Sequence, residues 1–211
     1  FLFAQSFDLM VETKSLKALS VLAQASCKIT QGEFLQMQIS NKPNTKSSDY
    51  FNVIGGKTAQ LFGASAQSGA IVANGSLKQI KAAFDYGYNM GLAFQIIDDV
   101  MDYSSSKTKM GKNQGDDFKL GKTTLPIILA WEKSNKIEQE FFLKALQELK
   151  QEKDDFEKCC EILRKYSILN RCKKIANDFV IKAINALNEF SENDYKKALI
   201  ELANSSLSRD N

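Results

Sequence analysis

The amino-acid sequence predicts an all-α fold, and two patterns in its 211 residues support that prediction. Apolar side chains recur at helical spacing over long stretches, which places them on one face of a helix. Signals for strands are weak, because there are only six valines and no alternation of apolar and polar residues over the length of a strand. A chain of this length can bury a sizeable core, so we predict a single domain over residues 1–211.

The sequence pattern predicts three helices and one connecting loop, taken here in chain order. Residues 14–39 have a helical composition, and their expected inner face carries Leu16, Leu19, Ala23, Ser26 and Ile29. The polar stretch Asn41–Asp49 is predicted to join two helices. Pro126 after Thr123 and Thr124 predicts a helix start with a hydroxyl cap and a proline in the first turn. Near the end, one apolar stripe comprises Leu169, Cys172, Ala176, Phe179, Val180, Ala183 and Leu187.

Glycine and proline are distributed unevenly. All 11 glycines and both prolines lie at or before Pro126, and residues 133–211 contain neither. The second part of the chain therefore resembles plain amphipathic helices with solvated faces. The first part has the turns and close approaches that functional sites need.

The composition excludes several classes of function. The chain has no histidine, so catalysis by an imidazole base and His-ligated zinc or haem are excluded. Its four cysteines show no CxxC spacing. A net charge of +3 gives no argument for a nucleic-acid partner. No apolar run is long enough for a transmembrane segment, and unpaired cysteines without an export signal predict a cytoplasmic protein.

The segment MGLAFQIIDDVMDY, residues 90–103, places four polar groups on one wedge of a helix. With Gln95 at zero and about 100° per residue, Asp98 lies at about 300°, Asp99 at about 40° and Asp102 at about 340°. The apolar residues of the segment fall on the opposite side. Gly91, one turn earlier, is expected to leave room for a ligand beside the carboxylates.

Three carboxylates on one wedge repel one another, and a hard cation removes that cost. Oxygen ligands on one face suit Mg²⁺, which keeps several waters and shares its shell with phosphate groups. The alternative is a solvated acidic face, since charged runs on helices are usually surface. The glycine and apolar flanks, and the lysines that follow, favour the metal site.

The loop GKNQGDDFKLGKTT, residues 111–124, follows that helix with three glycines and several lysines. A flexible cationic loop after a metal-binding helix suits a diphosphate, which metal ions neutralise on one side and ammonium groups on the other. It is not a P-loop, because five residues instead of four separate Gly115 from Gly121 and no strand precedes it.

A second candidate anion site lies in GGKTAQLFGASAQSGA, residues 55–70. Lys57 and Thr58 follow two glycines, which predicts a helix N-terminus with a lysine beside a hydroxyl. The small residues after them are interpreted as helix packing only.

Taken together, GGKTAQLFGASAQSGA, GLAFQIIDDVMDY and GKNQGDDFKLGKTTLPIILA resemble the trans-type polyprenyl diphosphate synthases, of long-chain octaprenyl or decaprenyl type. The opening FLFAQSFDLM and the QGEFLQM of residues 31–37 are also similar to that family. The resemblance spans most of residues 1–131 and is faint but compatible over 132–211.

The resemblance implies an isoprenoid synthase helical bundle around a central hydrophobic cavity, usually as a homodimer. It implies a prenyltransferase that condenses isopentenyl diphosphate with an allylic diphosphate into a longer polyprenyl diphosphate. The allylic diphosphate ionises, the alkene adds to the cation, and a proton leaves, so that no histidine is required.

The resemblance also implies roles for individual residues. Mg²⁺ would be held by the aspartates of the second aspartate-rich motif, which are Asp98, Asp99 and Asp102. The allylic diphosphate would contact Lys112 and Lys122. The ionisation site, where the leaving group is oriented or the cation stabilised, would be lined by Lys57, Thr58 and Gln95. Asp116 and Asp117 would support Lys112 and the waters on the metal.

The chain differs from the family pattern in one respect. The family has a first aspartate-rich motif upstream of the region that matches FLFAQSF, whereas this chain has a single DDxxD and corresponds to the C-terminal two-thirds of the fold. If the protein ended here, we would expect no turnover, because the leaving group would be neutralised from one side only. Alternatives are a non-catalytic or truncated subunit that pairs with another chain, a class I terpene cyclase, and a helical scaffold without a ligand.

Overall fold

The computed structural model describes residues 1–104 and 114–207, and every regular element in those residues is helical, as predicted. The α-helices are α1 (Leu2–Glu12), α2 (Leu16–Ile39), α3 (Ser47–Ile54), α4 (Gln60–Val72), α5 (Leu77–Met101), α6 (Asp116–Lys119), α7 (Leu125–Lys133), α8 (Lys136–Phe142), α9 (Asp155–Lys165), α10 (Ile168–Ala186) and α11 (Asp194–Ser205). Two π-helical turns, Gly55–Ala59 and Leu143–Gln147, and a 3₁₀ turn, Leu187–Glu189, complete the set.

Helix α5 is the central element, and it packs between α4 and α10. Its start is fixed by a capping box, in which the Ser76 hydroxyl accepts from the Gln79 amide and the Gln79 side chain accepts from the Ser76 amide. Half of its length is buried, from Ala82 to Val100. A helix buried on two sides holds its polar groups in fixed positions, which matters for the carboxylates at its end.

Glycines let α4 and α5 approach closely. A Cβ on Gly87 would lie 2.3 Å from the Phe62 carbonyl oxygen, and one on Gly91 would lie 2.6 Å from the Ala59 Cα. Among the small residues of α4, the predicted packing role is confirmed for the buried Gly63 and Ala64, but not for the exposed Gly69, where a Cβ would meet nothing within 4 Å. The prediction that Gly91 leaves room for a ligand is wrong, because the backbone of Ala59 fills that space.

The expected inner face of α2 is wrong. Its buried residues are Ala18, Ala25 and Gly32, seven residues apart, whereas Leu16 is 83% exposed. A Cβ on Gly32 would lie 2.4 Å from the Lys57 backbone nitrogen. The helix therefore packs through its smallest side chains, because it lies directly against the backbone of the neighbouring π-helical turn.

The second part of the chain agrees well with the sequence pattern. Helix α10 buries Cys172, Ala176, Val180 and Ala183, all from the predicted stripe. Helix α7 begins at Leu125 after Thr124, with proline in its first turn as predicted. The expected hydroxyl cap is absent, since no side-chain hydrogen bond caps that helix.

The predicted loop between helices lies at residues 40–46 and is tied to the segment before α7. The Asn41 amide donates to the Gly121 carbonyl at 3.0 Å, and the Asn41 side chain donates to the Leu146 carbonyl at 2.9 Å. The Lys42 amide donates to the Thr123 hydroxyl at 3.2 Å. Gly121 has a φ of +65°, a conformation that favours glycine. These contacts fix the backbone on either side of Lys122.

Within residues 1–104 and 114–207, no helix has the length and apolar character needed to cross a membrane.

Candidate functional site

A small polar pocket lies where α2, α3, α5, the Gly55–Ala59 turn and the segment before α7 meet. Four predicted site residues line it, which are Lys57, Gln95, Asp99 and Lys122. Gln36 and Tyr50 also line it, although the sequence analysis did not single them out. Its volume of about 30 Å³ holds a water molecule or two rather than a prenyl diphosphate, so a ligand of that size would lie at its mouth.

Asp99 is the most deeply buried carboxylate of the site, with 2% of the residue exposed. The Tyr50 hydroxyl donates to Asp99 Oδ2 at 2.6 Å, and the Gln95 amide nitrogen donates to Asp99 Oδ1 at 2.9 Å. Burial raises the pKa of Asp99 to about 7, although the hydrogen bond from Tyr50, the charge of Lys122 and the hydrogen bond from Gln95 all lower it. Each carboxylate oxygen therefore accepts one hydrogen bond from the protein, which fixes the orientation of Asp99; its predicted role as a metal ligand stays a prediction.

Gln95 connects Asp99 to the Gly55–Ala59 turn. The Thr58 hydroxyl donates to Gln95 Oε1 at 2.8 Å, on the opposite end of the amide from the Asp99 contact. The structure thus brings together Thr58, Gln95 and Asp99, as the predicted site requires. Thr58 and Asp99 each form a hydrogen bond with the side chain of Gln95.

Asp102 follows the last residue of α5 and caps a different element. Its Oδ2 accepts from the Asp117 amide at 3.1 Å, at the start of α6. Burial, followed by the charge of Asp117, raises the pKa of Asp102 to about 6. Asp98 is only partly buried, like Asp102, and its charge acts on Lys122. These two carboxylates form the outer edge of the predicted wedge.

Lys122 lies near these carboxylates, since its charge interacts with those of Asp98 and Asp102. Its ammonium is 2.8 Å from Asp117 Oδ1, and both side chains are largely buried. Burial opposes the charge on Lys122, but the hydrogen bond and charge of Asp117, with the charges of Asp99 and Asp98, raise its pKa above the ordinary value. The support role predicted for Asp117 is thus directed at Lys122.

The remaining loop residues are less informative. Asp116 pairs with Lys119 at 3.5 Å within α6, and both side chains are half exposed. Lys112, predicted to contact the allylic diphosphate, lies outside the described residues, so its pairing with Asp116 or Asp117 stays a prediction.

Lys57 lies at the other side of the pocket, and the prediction of its local structure is wrong. Gly55–Ala59 is a π-helical turn that continues α3 into α4, so no helix N-terminus with free amides lies at Lys57 and Thr58. The glycines there serve packing instead, because α2 crosses this turn at Gly32. An anion at Lys57 would meet its ammonium group and not a helix end.

The Lys57 ammonium is held by two residues of α2 that the sequence analysis missed. It donates to Gln36 Oε1 at 2.6 Å and lies 3.0 Å from Glu33 Oε1. Glu33 and Gln36 are three residues apart in QGEFLQM, a spacing that places both on one helix face. That spacing, within a segment already recognised as family-like, was the available signal.

The side chains fit a hard divalent cation such as Mg²⁺. Among the residues that the structure describes, no three acidic or cysteine side chains converge into a ready-made metal cage. Mg²⁺ does not require one, since it keeps several waters and takes further ligands from phosphate oxygens. Asp98 and Asp102, which are partly buried and lie about one helical turn apart, supply the oxygen ligands that such a cation prefers.

Comparison with known proteins adds independent information. The polyprenyl synthetase family profile matches residues 1–163. The octaprenyl diphosphate synthase of Haemophilus influenzae is 37% identical over 99% of this chain and 63% of its own length. The corresponding protein of Escherichia coli is 35% identical over 100% of this chain and 65% of its own length. The chain therefore spans a little under two-thirds of these relatives, and the likeness extends through residues 132–211.

Solved structures agree. A polyprenyl synthase from Caulobacter crescentus, complexed with calcium and isoprenyl diphosphate, superimposes with a TM-score of 0.95 at 42% identity, covering 100% of this chain and 64% of the other. A decaprenyl diphosphate synthase from Rhodobacter capsulatus gives 0.92 at 34% identity, covering 100% and 65%. The helical arrangement described above is thus shared with both.

Proposed function

Because the chain belongs to the polyprenyl synthetase family, we propose that the complete protein is a prenyltransferase that condenses isopentenyl diphosphate with an allylic diphosphate. The observation that carries this proposal is the meeting of carboxylates and ammonium groups around one pocket. Asp99, Lys57 and Lys122 all line it, and the charge of Asp98 acts on Lys122. Metal ions on the carboxylates and the ammonium groups would together neutralise a diphosphate there.

The side chains have separate tasks in this proposal. Asp98 and Asp102 would hold Mg²⁺, which supplies positive charge to the leaving diphosphate when it is bound. Lys122 would donate to the diphosphate, because its raised pKa keeps it protonated at neutral pH. Lys57 would donate from the opposite wall, on release from Gln36 or Glu33.

Other parts of the assignment rest on the family resemblance. We propose that Lys112 adds a further ammonium group, and that Asp116 and Asp117 support the lysines and the metal waters. A homodimer and a single domain over residues 1–211 stay predictions. The four cysteines are all free thiols, which supports the proposed cytoplasmic location. The relatives are named as synthases, which favours catalysis over a non-catalytic subunit.

The test uses the complete protein with radiolabelled isopentenyl diphosphate, farnesyl diphosphate and Mg²⁺. We expect chain-length-resolved polyprenyl products that disappear when a chelator removes the metal. Asp98→Ala should reduce kcat/KM at least a hundredfold, which corresponds to about 3 kcal/mol.

Lys122→Ala should reduce kcat/KM by a similar factor. Lys119→Ala is the matched control, since this nearby lysine is exposed and pairs only with Asp116 among the ion pairs of the described residues. If Lys122→Ala keeps full activity, as Lys119→Ala is expected to, the Lys122 ammonium does not bind the diphosphate, and the assignment fails.

A further inference from the structure

One chain of hydrogen bonds crosses the site from helix to helix. It runs from Tyr50 on α3 to Asp99 and Gln95 on α5 and ends at Thr58 in the Gly55–Ala59 turn, with donor–acceptor distances of 2.6, 2.9 and 2.8 Å. Tyr50 and Asp99 are each 2% exposed, so the contact between them is buried. A hydrogen bond to a buried carboxylate is strong, and losing the one from Tyr50 leaves Asp99 with the bond from Gln95.

While Asp99 is ionised, each hydrogen bond in this chain has one direction. A carboxylate only accepts when ionised, so Tyr50 donates its hydroxyl proton and Gln95 must turn its amide nitrogen toward Asp99. Gln95 Oε1 then faces Thr58, which donates to it. The position of Asp99 therefore decides which atom of Gln95 faces which side of the pocket.

We propose that Tyr50 is a positioning residue. Its hydroxyl holds Asp99 inside the bundle, so that Asp99 orients Gln95 and keeps its charge close to Lys122, behind Asp98 and Asp102. This inference rests on the proposed function, and it separates the three aspartates of the motif. Asp98 and Asp102 meet the cation, whereas Asp99 keeps the surrounding groups in place.

A purely structural role for Tyr50 is the competing explanation, and α5 offers a control for it. Tyr86 lies on α5, the helix that carries Asp99, and is buried. Its hydroxyl donates to the carbonyl of Leu199 in α11 at 2.8 Å. Tyr50→Phe and Tyr86→Phe each remove one hydroxyl hydrogen bond and keep the ring. Both should lower stability, Tyr50→Phe by more because its bond is to a carboxylate, but only Tyr50→Phe should affect the site.

The first measurement is the affinity of the complete protein for Mg²⁺ with inorganic diphosphate, by calorimetry. We expect Tyr50→Phe to weaken binding about tenfold and Tyr86→Phe to leave it within twofold. In turnover, Tyr50→Phe should lower kcat about tenfold with little change in KM for isopentenyl diphosphate. Equal behaviour of the two variants would show that Tyr50 has only a structural role and would overturn the proposal.

The second measurement is a double-mutant cycle with Asp99→Asn, which keeps the shape of the side chain and removes its charge. Because Tyr50 acts through Asp99, adding Tyr50→Phe to Asp99→Asn should cause no further loss. Additive losses would place Tyr50 in contact with some other group and refute the mechanism. Should Tyr50→Phe fail to fold, Asp99→Asn alone still decides: a loss as large as that of Asp98→Asn makes Asp99 a metal ligand, against the proposal.

The binding arm separates this inference from the proposed function. If the wild-type protein shows no prenyl transfer, the proposed function is contradicted. The positioning role can still be tested in that case, because it predicts how Tyr50→Phe changes the binding of Mg²⁺ and diphosphate.

Discussion

Replacing Gly32 by alanine tests whether α2 and the Gly55–Ala59 turn are held together by backbone contact. The added Cβ would lie 2.4 Å from the Lys57 nitrogen, 2.8 Å from the Lys57 Cα and 2.9 Å from the Gly56 carbonyl carbon. All three are backbone atoms that cannot rotate away. Reaching 3.4 Å, the beginning of ordinary van der Waals contact, requires the two segments to separate by about 1 Å.

The expected change in the free energy of unfolding combines two opposing effects. Overpacking of this kind costs about 2 kcal/mol, and the gain from replacing glycine within a helix is about 1 kcal/mol. We therefore expect Gly32→Ala to be less stable by about 1 kcal/mol, as measured by urea unfolding followed by far-ultraviolet circular dichroism. The shift also displaces the Lys57 backbone and with it the side chain that lines the pocket, so affinity for Mg²⁺ with inorganic diphosphate should fall.

The matched control is Gly69→Ala in α4. Gly69 is exposed, and a Cβ there meets nothing within 4 Å, so only the helix-propensity gain applies. This variant should be more stable than wild type by up to about 1 kcal/mol. Opposite signs for the two variants support the packing argument, and a stabilising Gly32→Ala would refute it.

Three further predictions concern other parts of the fold. In metal-free buffer, the raised pKa of Asp99 means that the folded protein binds its proton more tightly than the unfolded chain does. Its contribution to stability is therefore present below pH 4 and is lost as the pH rises to about 7. Asp99→Asn should reduce the fall in stability measured by urea unfolding between pH 4.5 and 7.5, and the raised pKa of Asp102 accounts for part of the remainder. Gly121→Ala should destabilise the protein by at least about 1 kcal/mol in the same assay, because the φ of Gly121 is +65° and the added Cβ would lie 2.1 Å from the side-chain amide nitrogen of Asn41. Tyr166→Phe should cost about 1 kcal/mol, because its hydroxyl donates to Glu138 at 2.8 Å; an unchanged unfolding midpoint would show that water replaces this bond.

The sequence predicted the helices better than the faces they bury. Along α10, large and small apolar residues share one stripe, and the buried face follows it. Along α2, the buried positions are the smallest residues, and Leu16 is exposed. Hydrophobicity marks a face that packs against side chains, but close contact with a neighbouring backbone selects for small size, which a hydrophobic pattern does not reveal.

The candidate site shows the same limit in another form. Helical geometry correctly placed Gln95 and Asp99 on one wedge, because angular position follows from spacing along the chain. It gave no depth, so it did not distinguish the buried Asp99 from the outer Asp98. Tyr50 was missed because its contact with Asp99 spans 49 residues of sequence, and no local pattern marks such a pair.

The hydrogen bonds of the 40–46 loop have a consequence for how the protein folds. Asn41 and Leu146 are 105 residues apart in sequence, and Lys42 and Thr123 are 81 residues apart. Helices α4 and α5 are neighbours along the chain and can associate early, whereas these bonds require closure of much longer loops. The segment that carries Lys122 therefore reaches its final position late, so refolding monitored by helix content should be complete before diphosphate binding recovers.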